Sequence, residues 1–438
     1  MPVMGKVQVQ PTVAAIATLS ILLSISSIQS LTGIGVNYGT IANNLPPPQT
    51  VAQFLSQSTT ITHVKLFDSD PAILHAFAHS PIAVTVSVPN HLIPILTNLT
   101  SAHNWVRQSL LPHALTTNIV RVLLGNEVLS TSNKSLISSL VPSMQNLHIA
   151  LSASSLAHRV QVSTPHSLGI LSASDPPSTG RFREGYDEAV LKPLLSFLRA
   201  TGAPFMVNAY PFFGFTEDTL DFALFRPNFG ARDRFTGLAY ANMLDAQLDA
   251  VYSALGGLGF GDVEIVIAET GWPSVGEPWQ VGVDVDNAAE YNRNLIQHVT
   301  SGVGTPLMPN RTFETYVFAL FNEDLKPGPV SERNFGLFRA DLTPAYDVGL
   351  LRTSQSMMPR MSVPLNPMEE MQWCVARADV GLDALQANID YVCGLSLNCL
   401  PIQAGGECFF PNDVRAHAGS RWMQVFVKVG LEVSEMIN

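Results

Sequence analysis

Cysteine is scarce in this sequence, and its four cysteines lie close together between Cys374 and Cys408. Residues 1–373 contain none, which excludes a disulfide framework or a thiolate metal site from most of the chain. Basic residues are also few, since 24 Lys and Arg stand against 35 Asp and Glu and give a net charge of −11. That balance argues against a nucleic-acid partner and favours a neutral ligand.

Charged residues make up only 13% of the chain, whereas hydrophobic residues make up 46%. Glycine and proline, with 30 of each, keep to an ordinary share, which excludes collagen, coiled coils and wholesale disorder. A chain of 438 residues with this composition has enough apolar material for one large domain and a small additional module.

The N-terminal segment, residues 1–30, has the features of a signal peptide. Lys6 gives a positive start, residues 13–28 form an apolar run with Ser and Thr, and small residues follow as far as Ser30. The run is short for a transmembrane helix, although an uncleaved signal anchor is the alternative. We therefore expect a secreted protein of the extracellular space or cell wall, monomeric and without a membrane span once mature.

Two further features concern processing. Asn98, Asn133 and Asn310 each begin an Asn-X-Ser/Thr triplet and are candidate glycosylation sites. Residues 426–438 have neither the polar spacer nor the hydrophobic tail of a lipid-anchor signal, so no lipid anchor is expected.

Eight short apolar runs rich in Val and Ile alternate with segments of helical periodicity. The runs are residues 33–38, 63–67, 83–88, 119–124, 159–163, 205–208, 263–268 and 316–321. Continuous apolar runs are typical of parallel strands buried on both faces, and eight alternations predict a (β/α)8 TIM barrel over residues 31–351. A doubly wound open sheet is the alternative, but it usually has fewer strands, and the glycine fingerprint with which it binds nucleotides is missing.

Two long connections, residues 165–186 and 211–239, follow predicted strands and should therefore lie on the C-terminal face of the barrel. Residues 352–371 are rich in Met, Pro and Ser and are interpreted as a linker. Residues 372–438 then form a small module that holds all the cysteines.

Carboxylates lie at the ends of two of the buried runs. Glu127 follows the fourth run, and Glu269 follows the seventh. Burying a carboxylate there costs free energy unless the group is paired with a cation or has a catalytic role. For either glutamate alone, a structural salt bridge at the strand end is the alternative to a catalytic role. Strands four and seven face each other across a barrel, so the two should converge. Converging carboxyls beside aromatic residues, with no metal or cofactor signature, predict glycoside hydrolysis by a protonated acid and an ionised nucleophile.

The stretch 265–276, IVIAETGWPSVG, resembles the signature of glycoside hydrolase family 17, the plant β-1,3-glucanases. The resemblance covers about residues 33–350 and includes four further stretches in family order. These are GVNYG at 35–39, VLLGNE at 122–127, FALFNE at 318–323 and ERNFGLF at 332–338.

The resemblance implies roles for particular residues. It makes Glu127 the acid/base and Glu269 the nucleophile. Supporting roles fall to Glu323, Lys326 and Asn126, and substrate-binding roles to Tyr38, Tyr210, Trp272 and Phe321. Lys326 is expected to keep Glu269 ionised, and Phe67 departs from the tyrosine that many relatives place there.

The cysteine-bearing segment resembles a second family, carbohydrate-binding module family 43, a β-1,3-glucan binder with six cysteines. The resemblance implies a disulfide between Cys393 and Cys399, which leaves Cys374 and Cys408 without their usual partners. A bond between those two is the alternative. We therefore expect an incomplete module.

The function that the resemblance implies is retaining endo-hydrolysis of β-1,3-glucans such as callose, laminarin or fungal wall glucan. A β-1,3-glucanosyltransferase with the same two glutamates is one alternative, and a non-catalytic glucan-binding wall protein is another. Cleavage of mixed 1,3-1,4 linkages would be a variant in specificity. Retention requires the carboxyl groups to lie about 5–5.5 Å apart, whereas inversion needs roughly 6.5–9.5 Å.

Overall fold

The computed structural model describes residues 33–352 and, beyond them, only residues 381–383, 386, 389 and 414. Within 33–352 the strands are β1 (Ile34–Tyr38), β2 (His63–Leu66), β3 (Ala83–Val88), β4 (Ile119–Leu124), β5 (Gln161–Ser163), β6 (Pro165–Ser167), β7 (Leu171–Ala173), β8 (Arg181–Phe182), β9 (Phe205–Asn208), β10 (Ala231–Arg232), β11 (Ala239–Tyr240), β12 (Ile265–Thr270) and β13 (Thr315–Val317). The α-helices there are α1 (Pro48–Ser58), α2 (Pro71–Ala76), α3 (Ile93–Leu96), α4 (Leu99–Trp105), α5 (Lys134–Ala153), α6 (Lys192–Thr201), α7 (Leu220–Ala223), α8 (Met243–Gly257) and α9 (Val285–Thr300). Each of the eight apolar runs overlaps a strand of the structure.

The main sheet is parallel throughout and has the order β5-β4-β3-β2-β1-β13-β12-β9-β6. Only Thr164 separates β5 from β6, so one stretch of chain pairs with β4 on one side and with β9 on the other. The Thr164 hydroxyl donates to the Leu124 carbonyl at this break, at 2.7 Å. The sheet therefore closes into the predicted eight-fold barrel, and the open-sheet alternative is wrong.

Strand alternation divides the core into two layers. Side chains pointing outward pack beneath the helices in one large apolar cluster, which includes Val64 and Leu66 of β2. Side chains pointing inward form a small apolar cluster inside the barrel, which includes Leu123, Met206 and Tyr316. Inward positions that are polar therefore have to be satisfied by one another, because the barrel interior holds little water.

The helices follow from local signals. Asn133 caps α5 by accepting from the Leu136 amide at 3.1 Å, and Asn242 caps α8 by accepting from the Asp245 amide at 2.8 Å. The apolar periodicity of both segments becomes their buried face. These two helices confirm the periodicity that the sequence shows in those regions.

The two long connections each carry a small antiparallel hairpin, β7 with β8 and β10 with β11. They follow the carboxyl ends of β6 and β9, which places them on the expected face of the barrel. Asp233 ties them together by accepting from the Ser178 amide at 2.9 Å.

Backbone contacts divide the chain into two units, residues 1–353 and 354–438. The expected signal peptide and Cys374, Cys393, Cys399 and Cys408 lie outside the described residues, as does almost all of the linker. Among the helices in the described part of the chain, none combines the length and the apolar character that crossing a membrane requires.

Candidate active site

A sharp turn after β4 presents Glu127. Gly125 has φ +67° and Glu127 has φ +51°, and a Cβ on Gly125 would lie 2.3 Å from the Asn90 side chain, so position 125 requires glycine. Asn90 fixes the turn from both sides, because it accepts from the Asn126 amide at 2.8 Å and donates to the Asn126 carbonyl at 3.0 Å. The backbone amide of Glu127 donates to the Pro165 carbonyl at 3.0 Å.

The carboxyl group of Glu127 accepts a hydrogen bond from Asn208 Nδ2 at 2.8 Å. Burial raises the pKa of Glu127, and the negative charge of Glu269 raises it further, whereas the bond from Asn208 opposes both. A carboxyl group in this environment retains its proton to higher pH than a free glutamate, which is what a proton donor requires.

Glu269 lies in β12 and is only 6% exposed. The register of β12 against β9 shifts between Ile267 and Glu269, and this irregularity breaks the normal alternation. Ala268 belongs to the inner cluster, while Thr270 points outward and shares a hydrogen bond with Tyr291. Glu269 can therefore face the mouth of the barrel although its neighbour Ala268 also points inward.

Two donors hold the Glu269 carboxylate. Lys65 Nζ lies 2.7 Å from Oε1, and the Tyr210 hydroxyl donates to Oε2 at 3.1 Å. Burial and the negative charge of Glu269 raise the pKa of Tyr210 well above its usual value, so this hydroxyl keeps its proton and stays a donor. The carboxylate therefore has a cation at one oxygen and a neutral hydroxyl donor at the other.

Lys65 is the residue that sequence reasoning missed. Its side chain is 1% exposed, its Nζ donates to Asn37 Oδ1 at 2.9 Å, and it lies 3.9 Å from the centre of the Phe67 ring. Burial lowers the pKa of Lys65, and the adjacent Glu269 opposes that shift. The signal was present in the sequence, since a lysine in the middle of a buried strand needs a charged partner.

Lys326 does not reach Glu269, which corrects the expected role. Its Nζ pairs with Glu332 Oε2 at 2.9 Å and lies 4.4 Å from the centre of the Phe318 ring. Lys65 lies within β2 and points into the barrel, whereas Lys326 lies on the loop after β13. The cation that meets Glu269 is therefore Lys65.

Glu323, the other predicted supporting residue, joins two loops. It is 5% exposed and accepts from the Ile41 backbone amide at 2.9 Å. A Cβ on Gly39 would lie 2.3 Å from this carboxyl group, so the glycine makes the close approach feasible. Burial raises the pKa of Glu323.

Glu127 and Glu269 line one cavity of about 280 Å³ at the mouth of the barrel. The lining residues are Asn126, Glu127, Tyr210, Phe213, Glu269, Phe318, Lys326, Glu332 and Phe335. Tyr210 packs against the rings of Phe213, Phe318 and Phe335, which gives the cavity an aromatic wall. The structure thus brings together both glutamates, Asn126 and Tyr210.

The remaining predicted substrate-binding residues lie deeper. Tyr38 and Phe321 are 2% and 3% exposed and pack edge to face, and neither lines the cavity. Burial raises the pKa of Tyr38 to about 12.

Trp272, to which the resemblance gives a substrate-binding role, is not accessible to substrate, which corrects that expectation. Its side chain is fully buried among Phe212, Phe215 and Tyr291, and its Nε1 donates to the Gly282 carbonyl at 2.8 Å. These neighbours belong to the connection after β9 and to α9, so this ring is part of the core.

A metal-binding site was sought among the side chains of the residues that the structure describes. No group of three or more His, Cys, Asp or Glu side chains there is arranged to hold an ion.

Comparison with protein families gives two matches. Residues 34–350 match the model described as glycosyl hydrolases family 17, and residues 372–424 match the X8 domain model. The predicted family resemblances of both segments are confirmed.

The curated relatives agree with the first match. The chain is 50% identical to a glucan endo-1,3-beta-glucosidase of Triticum aestivum over 398 residues, covering 88% of this chain and 86% of the relative. It is 46% identical to glucan endo-1,3-beta-glucosidase 7 of Arabidopsis thaliana over 400 residues, covering 90% and 78%.

Two solved structures are similar. A beta-1,3-glucanase and allergen of Cryptomeria japonica pollen gives a TM-score of 0.69 at 40% identity, covering 73% of this chain and 99% of that one. One of two plant beta-glucan endohydrolases with distinct substrate specificities gives 0.66 at 35% identity, covering 72% and 100%.

Proposed function

Because the chain belongs to glycosyl hydrolases family 17, we propose that it hydrolyses internal β-1,3-glucosidic bonds of β-1,3-glucans with retention of configuration. The observation that carries the proposal is the contrast between two carboxyl groups in one cavity. Burial raises the pKa of Glu127, whereas Glu269 lies 2.7 Å from the ammonium group of Lys65. One group is suited to give a proton and the other to attack as an anion.

In the first step a Glu269 oxygen attacks the anomeric carbon, and the glycosidic bond breaks. Glu127 transfers its proton to the departing glycosidic oxygen, so the leaving sugar departs as a neutral alcohol. Lys65 and Tyr210 hold the Glu269 carboxylate before the attack and release it as its charge is consumed.

In the second step Glu127, now ionised, takes a proton from a water molecule that attacks the same carbon. The bond to Glu269 breaks, and two inversions give net retention. A sugar hydroxyl in place of water would give transglycosylation through the same intermediate.

Azide rescue tests the assignment. Glu269→Ala should abolish turnover of laminarin, and added azide should give an α-glycosyl azide. Glu127→Ala should still react with substrates that carry a good leaving group, and azide should then give a β-glycosyl azide. The anomeric configuration is read by proton NMR.

Glu264→Ala is the matched control, since Glu264 is exposed at the other end of β12. It should retain normal activity. Exchanged azide products would reverse the two roles, and full activity in either active-site variant would refute the mechanism.

The proposed site of action is extracellular, supported by the signal-like residues 1–30 and by three exposed sequons. Asn98 and Asn133 cap helices through Oδ1, which leaves Nδ2 free to carry a glycan. Protein recovered from the medium should begin near residues 28–34, and a cytosolic chain with an intact Met1 would contradict the proposal.

A further inference from the structure

Two further clefts continue from the catalytic cavity. The near cleft, of about 420 Å³, shares Glu127, Tyr210 and Phe213 with the catalytic cavity. The distal cleft, of about 680 Å³, shares Ser174, Gly214 and Gln247 with the near cleft. The three spaces therefore form one path, which leads from the two glutamates to the hairpin of β10 and β11.

The position of the proton donor gives this path a direction. Glu127 lines both the catalytic cavity and the near cleft, whereas Glu269 lines the catalytic cavity and not the near cleft. The acid/base must stand beside the departing oxygen, and the nucleophile must approach the opposite face of the sugar. A glucan chain that continues past Glu127 into the near cleft is therefore the half that leaves first.

The distal cleft has the chemistry of a sugar site. The Phe229 ring at its rim is fully exposed, and an exposed aromatic face offers a platform for a pyranose ring. Asp175 and Asp218 also line the cleft, and within residues 33–352 neither carboxylate has a hydrogen-bond or ion-pair partner. Free carboxylates accept from sugar hydroxyls, so this combination suits a neutral polyol.

Gln247 lies where the near and distal clefts meet. Its Nε2 donates to the Tyr210 backbone carbonyl at 3.2 Å, while its Oε1 is buried without a partner among the described residues. A buried acceptor without a donor is costly, and a sugar hydroxyl passing the junction would supply one. A Cβ on Gly214 would lie 3.2 Å from Gln247 Nε2 and from Met243 Sδ, so a side chain at position 214 would crowd this junction.

We propose that the distal cleft binds glucosyl units on the leaving-group side of the chain, with Phe229 as the stacking platform and Gln247 as the hydroxyl acceptor at its entrance. The proposal rests on the proposed function. It makes the enzyme more efficient on long β-1,3-glucans than on short ones, because only a long chain spans from the catalytic cavity to Phe229.

The test compares laminaritriose with laminariheptaose as substrates for the full chain. Phe229→Ala should lower the ratio of kcat/KM for the long substrate to that for the short one by roughly fivefold to tenfold, mainly through a higher KM. Phe235→Ala is the matched control, since Phe235 is also exposed on the same hairpin segment but does not line the distal cleft. This control should leave the ratio unchanged.

A binding measurement separates this inference from the proposed function. In a Glu269→Gln background, Phe229→Ala should raise the calorimetric Kd for laminariheptaose roughly fivefold to tenfold, and Phe235→Ala should not. An unchanged Kd and ratio in a folded Phe229→Ala protein, or equal losses on both substrates, would overturn the distal site. Failure of the unaltered chain to cleave any β-1,3-glucan would instead refute the proposed function, and the Kd comparison would still decide the distal cleft.

Discussion

At the scale of single residues, two identical side chains have different neighbours, which supports the different roles proposed for them. Glu127 receives one neutral donor, Asn208, at 2.8 Å, whereas Glu269 receives a cation at 2.7 Å and a hydroxyl at 3.1 Å. A charged donor stabilises an anion more than a neutral amide does. In the proposed mechanism, burial favours Glu127 as the acid, and the neighbouring Lys65 favours Glu269 as the nucleophile.

Replacing Lys65 with methionine should therefore impair the nucleophile. Lys65→Met leaves Glu269 buried with Tyr210 as its remaining donor, and kcat/KM should fall about a hundredfold or more, the size typical of losing one strong donor at a reacting centre. Laminarin hydrolysis by the variant and by the unaltered chain measures the loss.

Lys326→Met is the control for that variant, because Lys326 pairs with the partly exposed Glu332. It should cost less than about tenfold, as expected for a pair in contact with solvent. A larger loss in Lys326→Met than in a folded Lys65→Met protein would restore Lys326 as the partner of the nucleophile.

Asn208→Leu should change the basic limb of the pH profile. The substitution keeps the branched shape and the number of heavy atoms of the side chain, and it removes the hydrogen bond that lowers the pKa of Glu127. Since Glu127 is the protonated acid in the proposed mechanism, activity should be lost as pH rises through its pKa. Without the bond that pKa rises, and the basic limb of kcat/KM against pH should move upward while the acidic limb stays in place. A downward shift would contradict the assignment.

At the scale of elements, the strands were predictable because burial on both faces leaves a continuous apolar run. The main differences concern where pairing stops. The fifth barrel strand breaks at Thr164, and the last one ends at Val317 although its apolar run continues to Phe321. Pairing between strands depends on register with neighbours, which an apolar run does not encode.

Part of the site was predictable for the same reason, since carboxylates after buried runs indicated Glu127 and Glu269. Lys65 was not predicted because it lies inside a strand, whereas the candidate residues lie at strand ends. Trp272 was misplaced because its motif does not reveal which way the following loop folds. Only the packing of Phe212, Phe215 and Tyr291 around it decides that.

The far end of the barrel interior contains an ion pair between strands that are not neighbours. Arg121 of β4 binds Glu314, just before β13, at 2.7 Å and 3.2 Å, and Tyr316 donates to the same carboxylate at 2.7 Å. Although burial acts to raise it, Arg121 lowers the pKa of Glu314 overall. This pair links opposite walls at the end remote from the catalytic cavity.

Arg121→Met should lower the free energy of unfolding by about 2–4 kcal/mol, since it leaves Glu314 without its cation in a mostly buried position. A carboxyl group with a lowered folded pKa contributes stability above its ordinary value of 4.5, and this contribution is lost as pH falls. The loss in the variant should therefore be largest near neutral pH and shrink on acidification. Urea unfolding at several pH values measures it.

Arg293→Met provides the comparison, because Arg293 is exposed and donates to a single carbonyl, that of Asp347. It should cost less than about 1 kcal/mol at every pH. Equal losses in the two variants, or a loss in Arg121→Met that grows on acidification, would contradict the role of the pair.

At the scale of the whole molecule, composition and chemistry agree. The catalytic cavity and the two clefts beyond it are lined by carboxylates, amides and aromatic rings, which suit a neutral polysaccharide. A chain with a net charge of −11 would repel a polyanion, so its excess of acidic residues is compatible with the proposed substrate.

The C-terminal segment, residues 372–438, matches the X8 domain model over 372–424. The resembling family has six cysteines, whereas this chain has four, and a small domain without its full set of disulfides seldom holds a core. We therefore expect the segment to add little to glucan binding. In a Glu269→Gln background, the full chain and a chain ending at Arg352 should bind insoluble β-1,3-glucan with Kd values within about twofold. Binding of the full chain that is tenfold tighter, and that is lost on reduction of the disulfides, would show that four cysteines suffice for a working module.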